Sequence, residues 1–572
     1  MKDRIIEILR GLMACAGVTN TEKEITAEKW MLDFFHKQPY FQKYPEFCGM
    51  FPIPDDPLRR NTVWALVKPE ETGGRTGEPK TDLNGSSSVR DQAANDVTNQ
   101  NEKGTAEGAA ANTAKKVPTV IFMGHHDVVS ADVFGDAAPW AFNLDEIVSR
   151  LNADMLSPEA YTDLLSGEWL FGRGSCDMLG GTAVQMALLA EHAEAVLQKA
   201  NQGKKQQADF DRGALLFLSV PDEESFSVGM RGSLPLLEQL KERYHLDYRL
   251  AVCGEPNRRP ADGKTQTVYS GSIGKLLPVV LVQGKLVQVG SYREGVNPVG
   301  ILSRIVAATE GDESFTETCG EEVSIPPVWM HARDLKEGYD FSLPKRAAGY
   351  CNVLMFQKTP AQVMAYFLGK IKGAVADESH PVTVMTWVTL WQQAKQHEGF
   401  EDFLRKTEQE KNELLQKQHK TFPEVTLWLM QQTLDFLNFD KPAVIFGFAP
   451  PYYPAARSED MKDAARFALY KKALSVLQDV EIKEYFPGVS DCSYCGLPAN
   501  AQSPVYQANT PLWGTDYRFD TEALIRLQVP FFLFGPWGKD LHQIGERVNR
   551  YSLTEEYPAV LEKLLRYVWL SD

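Results

Sequence analysis

The chain has 572 residues, a formal net charge of −16, 43% hydrophobic and 24% charged residues, and so exceeds the length at which one core keeps growing; two or more domains are expected. The acidic balance argues against the basic face of a nucleic-acid binder, and no apolar run reaches the length of a membrane span. Eight scattered cysteines suit free thiols in a reducing compartment better than a disulfide framework.

The start, "MKDRIIEILRGLMACAG", is amphipathic and too interrupted for a signal peptide, so the expected location is cytoplasmic. The first forty residues read as two helices. The second opens with Thr21 and Glu24 at capping-box spacing, ahead of an apolar face through Ile25, Trp30 and Phe34. A strand follows at "NTVWALV". From Pro69 to Lys116 the composition turns Gly-, Ser-, Asn- and Lys-rich, with almost nothing large and apolar; such a segment cannot offset its ordering entropy and is expected to be a disordered surface loop. Apolar runs and helical patterns then alternate: "TVIFM", a helix from about Gly181 to Lys199, "ALLFLSV", a helix near Ser233 to Tyr244, and "YRLAVCGE". This alternation predicts a mostly parallel sheet with helices on both faces, an α/β catalytic domain.

After "SGSIGK" the pattern changes. "LLPVVLVQG", a helix from Pro298 to about Thr309, "AAGYCNVLMFQ" and a helix from Thr359 to about Lys372 form a series of their own, an inserted α+β domain. The charged, strongly helical stretch 392–439 reads as an elaboration of it, and "AVIFGFAPPYYP" as its last strand. The expected division is therefore 1–272 for the first part of the catalytic domain, 273–456 for the insert, and 457–572 for the catalytic domain's second part. A helix from about Glu459 to Leu477 and a closing helix from Thr554 to Leu570 belong to that return.

Polar groups recur where strands of the catalytic domain should end: "GHHD" at 124–127, "GRGSCDMLGG" at 172–181, "PDEES" at 221–225 and "CGEP" at 253–256, with "DLHQIGE" much later at 540–546. In a parallel α/β sheet the carboxyl ends of the strands converge on one ligand site. The convergent set is imidazole and carboxylate without clustered thiolates, which suits zinc or a similar divalent ion, and surplus carboxylate suits a pair. Each motif alone has a blander reading. "HxD" is commonly a turn, "DEE" a solvated loop, "GEP" a turn, Asp177 a helix cap and His542 a surface residue. Agreement of all five is what carries the metal reading. His126 is better read as structural, Cys492 and Cys495 of "CSYC" as two unrelated buried thiols, and the aromatics of "FAPPYY" as packing.

These motifs in this order resemble the co-catalytic di-zinc amidohydrolases that include aminoacylase, bacterial glutamate carboxypeptidase and succinyl-diaminopimelate desuccinylase. The length, the extended insert and "FPGVSDCSY" resemble its arginine-utilisation (RocB-like) branch. The resemblance implies hydrolysis of an amide or peptide bond in a small amino-acid-like substrate or short peptide, within amino-acid degradation. It also implies two divalent metal ions, zinc foremost with manganese or cobalt as substitutes, and an insert that acts as a lid and pairs two copies into a homodimer. Residue by residue it makes His125, Asp177, Glu224, Glu255 and His542 metal ligands, with Asp177 bridging. Asp127 becomes the carboxylate that orients His125, and Glu223 the general base that takes a proton from water. Gln288, Asn297 and Gln357 are the insert's candidates for substrate binding.

Three positions depart from the family pattern. Leu179 stands where a lysine is usual. In "GKLVQVG", Gln288 stands where a histidine stabilises the developing oxyanion; in "MFQKTP", Gln357 stands where an arginine grips a substrate carboxylate. An amide donates a hydrogen bond but carries no charge, and losing one oxyanion donor costs ~10²–10³ in turnover. It also lacks the bidentate, charge-assisted grip of a guanidinium. His331 and Arg293 are alternative lid residues for either task. The competing reading is a metal-binding homologue that has lost or altered its catalysis and acts as a binding or regulatory protein.

Overall fold

The computed structural model describes residues 1–69, 116–202, 213–259, 265–418, 420–461, 464–477, 480–497 and 504–570. The loop expected over 69–116 therefore lies, apart from its two ends, outside the described residues. Contacts divide the chain into two units, one of 1–256, 473–477 and 535–572, the other of 257–472 and 478–534. Among the described residues no helix is long and apolar enough to cross a membrane.

In the first unit the strands lie in the order Cys48–Pro52, Asn61–Val67, Ala214–Val220, Val117–His125, Leu246–Cys253. The last three are mutually parallel, with His125 level with Val220 and Met123 with Cys253. The first two join antiparallel to one another and to Ala214–Val220. Every residue of "ALLFLSV" is buried, as continuous apolar strands must be when both sheet faces are covered. The helices Lys2–Ala14, Leu179–Gln202, Leu234–Arg243 and Tyr557–Leu570 lie where the periodicity puts them. Because three neighbouring strands run the same way, "HHD", "PDEES" and "GEP" leave the sheet side by side.

The remaining two motifs arrive by other means. The helix Leu179–Gln202 begins against the backbone of Gly254: a Cβ on Gly181 would stand 2.1 Å from the Gly254 carbonyl oxygen. That approach brings Asp177, just before the helix, to the strand ends. "DLHQIGE" lies between the strands Gly538–Lys539 and Arg547–Asn549. The second of these pairs with Trp169–Phe171, immediately ahead of the "GRGSCD" turn.

The helix Lys23–His36 corrects two expectations. Its N-cap is Glu22, without a capping box; Thr21 donates its hydroxyl to the Val18 carbonyl oxygen instead. Its buried face is Glu24, Ala27, Glu28, Met31 and Phe35, whereas Ile25, Trp30 and Phe34 are only half-buried. Two glutamates displace the expected apolar stripe because buried partners are available to both. The helix Pro360–Val375 does carry a capping box, between Thr359 and Gln362.

The second unit holds a five-stranded sheet in the order Val328–Asp334, Arg346–Met355, Gly274–Gln283, Ala443–Tyr453, Thr383–Thr386, antiparallel except for the last pair. The helical elaboration expected at 392–439 is the pair Phe400–Gln416 and Phe422–Phe436, preceded by Trp387–Lys395. Leu281 and Ile445 of the sheet share a core with Trp387, Leu390, Met430 and Leu434. Cys492 and Cys495 are buried free thiols. The aromatics of "FAPPYY" are buried, Phe448 and Tyr452 both making tilted ring contacts with Tyr506.

Candidate metal centre

Six residues gathered from five places in the sequence meet in the first unit. Asp177 stands between two imidazoles: its Oδ1 is 3.4 Å from His125 Nε2 and its Oδ2 is 3.2 Å from His542 Nε2. His125 Nε2 is also 3.7 Å from Glu255 Oε1 and 3.9 Å from Glu223 Oε2. His542 Nε2 is 3.1 Å from Glu224 Oε1. The ligating atoms of His125, Asp177 and Glu224 lie within 4.8 Å of one another, and so do those of His125, Glu223 and Glu255.

Asp127 is joined to this set from behind. Its backbone oxygen accepts from His125 Nδ1 at 2.8 Å, and its Oδ1 is 3.5 Å from the same nitrogen. Its two carboxylate oxygens accept the backbone N–H groups of Glu223 and Glu224, at 3.0 and 3.1 Å. One buried residue therefore sets both the ring of His125, chiefly through its backbone oxygen, and the turn carrying the glutamates, through its carboxylate.

The charges are unbalanced, and the imidazoles absorb the difference. Burial works against the charged form of His125, yet Asp127, Asp177 and Glu223 outweigh it and hold the ring well above the ordinary imidazole value. Hydrogen bonds to Asp177 and Glu224 push His542 up to about 10. Asp177 is drawn below the usual carboxylate range by both histidines in spite of its burial, and Glu224 is raised by burial and by Asp177.

The donor set fits a divalent cation pair. His125 Nε2 is buried with no hydrogen-bond partner among the described residues, although carboxylates surround it. Ligands held at ~2.0–2.1 Å around a tetrahedral ion stand about 3.3 Å apart along each edge, close to the spacing of Asp177 from each histidine. A carboxylate with one oxygen toward each imidazole is the arrangement a bridging ligand needs.

Several contributors were not singled out from sequence. Arg173 and Glu546 form a buried ion pair, and Glu546 Oε1 accepts from the backbone N–H groups of Gly174 at 2.8 Å and Asp177 at 3.4 Å. Both residues sit inside motifs quoted above, so proximity to His542 and Asp177 was the available signal. Glu24, Arg60 and Asp222 form buried contacts under the "PDEES" turn, and the buried Glu28 a contact with Asn61; periodicity, which turns Ile25, Trp30 and Phe34 to the core, carries no signal for them. His126 is structural, its Nδ1 3.1 Å from Ser219 Oγ and its Nε2 3.9 Å from Glu28.

The other candidates are in the second unit. Gln288 is exposed, in extended backbone before the turn Val289–Glu294. Asn297 caps the helix Pro298–Thr309, accepting from Val299 N–H at 3.1 Å. The exposed Gln357 donates its backbone N–H to Glu317. His331 stacks on Tyr350, and Arg293 lies in the turn Val289–Glu294. Leu179 is buried at the start of its helix.

The model of peptidase family M20/M25/M40 matches residues 121–567. The YqjN protein of Bacillus subtilis is 26% identical over 593 aligned residues, covering 98% of this chain and 95% of that one. The RocB protein of the same organism is 25% identical over 587, covering 98% and 94%. A succinyl-diaminopimelate desuccinylase of Bradyrhizobium diazoefficiens is 30% identical over 209 residues, 36% of this chain and 46% of that one. Among solved structures, the Bacillus subtilis YXEP protein, described as a dinuclear metal-binding peptidase, superposes at a TM-score of 0.46 with 12% identity, covering 99% of this chain and 98% of that one.

Proposed function

The chain belongs to peptidase family M20/M25/M40 and is a hydrolytic enzyme, and from that premise we propose that it cleaves an amide or peptide bond in a small amino-acid-like molecule with the aid of two divalent metal ions, zinc foremost. The observation that carries this reading is Asp177 with one oxygen toward His125 and the other toward His542. In it, His125 and Glu255 would hold one ion and Glu224 and His542 the other, with Asp177 offering one carboxylate oxygen on each side.

When bound, the ions supply Lewis acidity toward the substrate carbonyl and acidify water. The chain's own residues do the rest. Asp127 keeps Nδ1 of His125 engaged, so that Nε2 is the nitrogen presented to the centre. Glu223 accepts the proton of the attacking water on its carboxylate and delivers it to the departing nitrogen. The backbone hydrogen bonds to Asp127 hold Glu223 and Glu224 at fixed separation while this happens. The resemblance to the arginine-utilisation branch supports a substrate from arginine breakdown. The segment 273–456 is proposed as the lid and as the dimerising surface, with Gln288, Asn297 and Gln357 offered to the substrate; the resemblance alone carries these roles.

The test pairs metal analysis with a screen of N-acyl amino acids and dipeptides in the presence of zinc, manganese or cobalt. The protein should hold close to two ions and turn over at least one of these substrates. Glu223→Gln should keep the metal and lose about 10²–10⁴ in rate. Turnover by Glu223→Gln equal to that of the unaltered protein removes Glu223 as the base. Absence of bound metal removes the centre altogether.

A further inference from the structure

Glu24 and Glu28 are fully buried on the helix Lys23–His36, where an unpaired carboxylate would be costly. Each has a definite partner. Glu28 accepts from the Asn61 backbone N–H at 2.7 Å and the Asn61 side-chain amide at 2.8 Å. Glu24 Oε1 accepts from Arg60 Nη1 at 2.8 Å, and its Oε2 accepts from the backbone N–H of Asp222 at 3.0 Å. Arg60 is itself locked: it donates to Asp56 through Nη2 at 2.8 Å and Nε at 3.0 Å, and its Nη1 reaches Asp222 Oδ1 at 3.1 Å.

Asp222 directly precedes Glu223 and has φ +68, a left-handed conformation that is unfavourable for a residue with a Cβ and persists where the surroundings over-determine it. Here they do. Its N–H goes to Glu24, its Oδ1 to Arg60, and its Oδ2 accepts from Val228 N–H at 3.1 Å. Its carbonyl oxygen accepts from Ser227 N–H at 2.7 Å. The reversal at Asp222 is what turns the next two N–H groups onto Asp127, and with them the side chains toward His125 and His542.

We propose that Glu24 and Arg60 are positioning residues for the Glu223–Glu224 pair: by holding Asp222 from the N-terminal helix they set the separation of the proton-accepting carboxylate and the carboxylate facing His542. The proposal rests on the roles given above to Glu223 and Glu224. Glu24 touches no reacting atom. Its influence runs through Asp222 to the two N–H groups, then through Asp127 to the ring of His125. A helix from the start of the chain thereby governs a turn near residue 223.

Glu24→Gln keeps the shape and loses one acceptor: the amide oxygen can accept from Arg60 or from the Asp222 N–H, while the amide NH2 only donates and faces the other donor. Arg60→Lys keeps the charge and loses the fork. In the full chain, amide hydrogen exchange across 219–228 is measured by mass spectrometry, together with calorimetric titration with Zn²⁺. Both variants should exchange faster across 219–228 while the helix Leu179–Gln202 keeps its protection, and should bind one of two Zn²⁺ ions about 10–100-fold more weakly. A purely structural role would lower the unfolding temperature and leave exchange at 219–228 and Zn²⁺ affinity unchanged, which overturns the proposal. Should Glu24→Gln fail to fold, Arg60→Lys alone decides by the same two readouts. If the unaltered protein takes up no Zn²⁺, it is the two-ion reading of the centre that falls, and the exchange measurement still decides whether Glu24 and Arg60 hold the turn.

Discussion

Glu546 and Arg173 pair in the interior of the first unit and fasten the loop that bears His542 to the loop that bears Asp177. Burial pushes the Glu546 carboxyl up to about 7, with Asp177 adding to the push and Arg173 pulling back. Glu546→Gln leaves the Arg173 guanidinium buried without its charge partner. Breaking such a pair on one side costs about 3–5 kcal/mol. Urea unfolding should register that loss, and a variant within 1 kcal/mol of the unaltered protein, on the ~1 kcal/mol scale of ordinary single substitutions, would mean the pair is not a clamp.

Metal uptake should release protons. In the metal-free protein His542 keeps its proton up to about 10, because Asp177 and Glu224 favour the charged ring, and His125 is likewise held high. A ligating imidazole must be neutral. Affinity for Zn²⁺ should therefore rise as pH climbs from the ordinary imidazole range toward 10. The sign for stability is opposite in the metal-free protein: the raised value of His542 contributes stability below the unfolded imidazole value and loses it as pH rises through about 10. Calorimetric titration at pH 8 in two buffers of different ionisation enthalpy reads the released protons directly. Identical heats in both buffers would refute the expectation.

Gly181 has no room for a methyl group. Its Cβ would lie 2.1 Å from the Gly254 carbonyl oxygen and 2.8 Å from the Gly254 carbonyl carbon, backbone that cannot swing aside. Gly181→Ala must drive the helix Leu179–Gln202 away from the strand end that leads into Glu255, at about 1–3 kcal/mol for overpacking. The gap between Asp177 and Glu255 widens as a result. Zn²⁺ titration of Gly181→Ala should lose the ion on the His125 side before the one on the His542 side; loss in the reverse order would contradict this geometry.

Gly369 is the opposite case. It sits within the helix Pro360–Val375, exposed, with nothing among the described residues within 4 Å of an added Cβ. Gly369→Ala removes unfolded-state freedom without strain and should stabilise its unit by about 0.5–1 kcal/mol, seen as a higher denaturant midpoint. A lower midpoint would point to an additional contact made by that face.

Much of the centre could be read from sequence because each strand-end motif follows a run of apolar residues that can only be a covered strand. "TVIFM", "ALLFLSV" and "YRLAVCGE" predict strands whose ends carry "GHHD", "PDEES" and "CGEP", while the choice of His125, Glu223, Glu224 and Glu255 within them comes from the family resemblance. Asp177 and His542 needed the motif pattern as well, since close packing at Gly181 and the pairing of Arg547–Asn549 with Trp169–Phe171 leave no periodic trace. The helix Lys23–His36 was misread for a related reason. Periodicity weighs each side chain by its own polarity, whereas Glu24 and Glu28 are buried because Arg60 and Asn61, distant along the chain, meet them. The Thr21–Glu24 capping box failed by the same competition: the Glu24 carboxylate is already committed to Arg60 and Asp222.

His542 is the last of the six clustered residues to leave the ribosome. A polypeptide ending before residue 540 would carry His125, Asp177, Glu223, Glu224 and Glu255 but lack both His542 and the Glu546 carboxylate that ties its loop to the turn bearing Asp177.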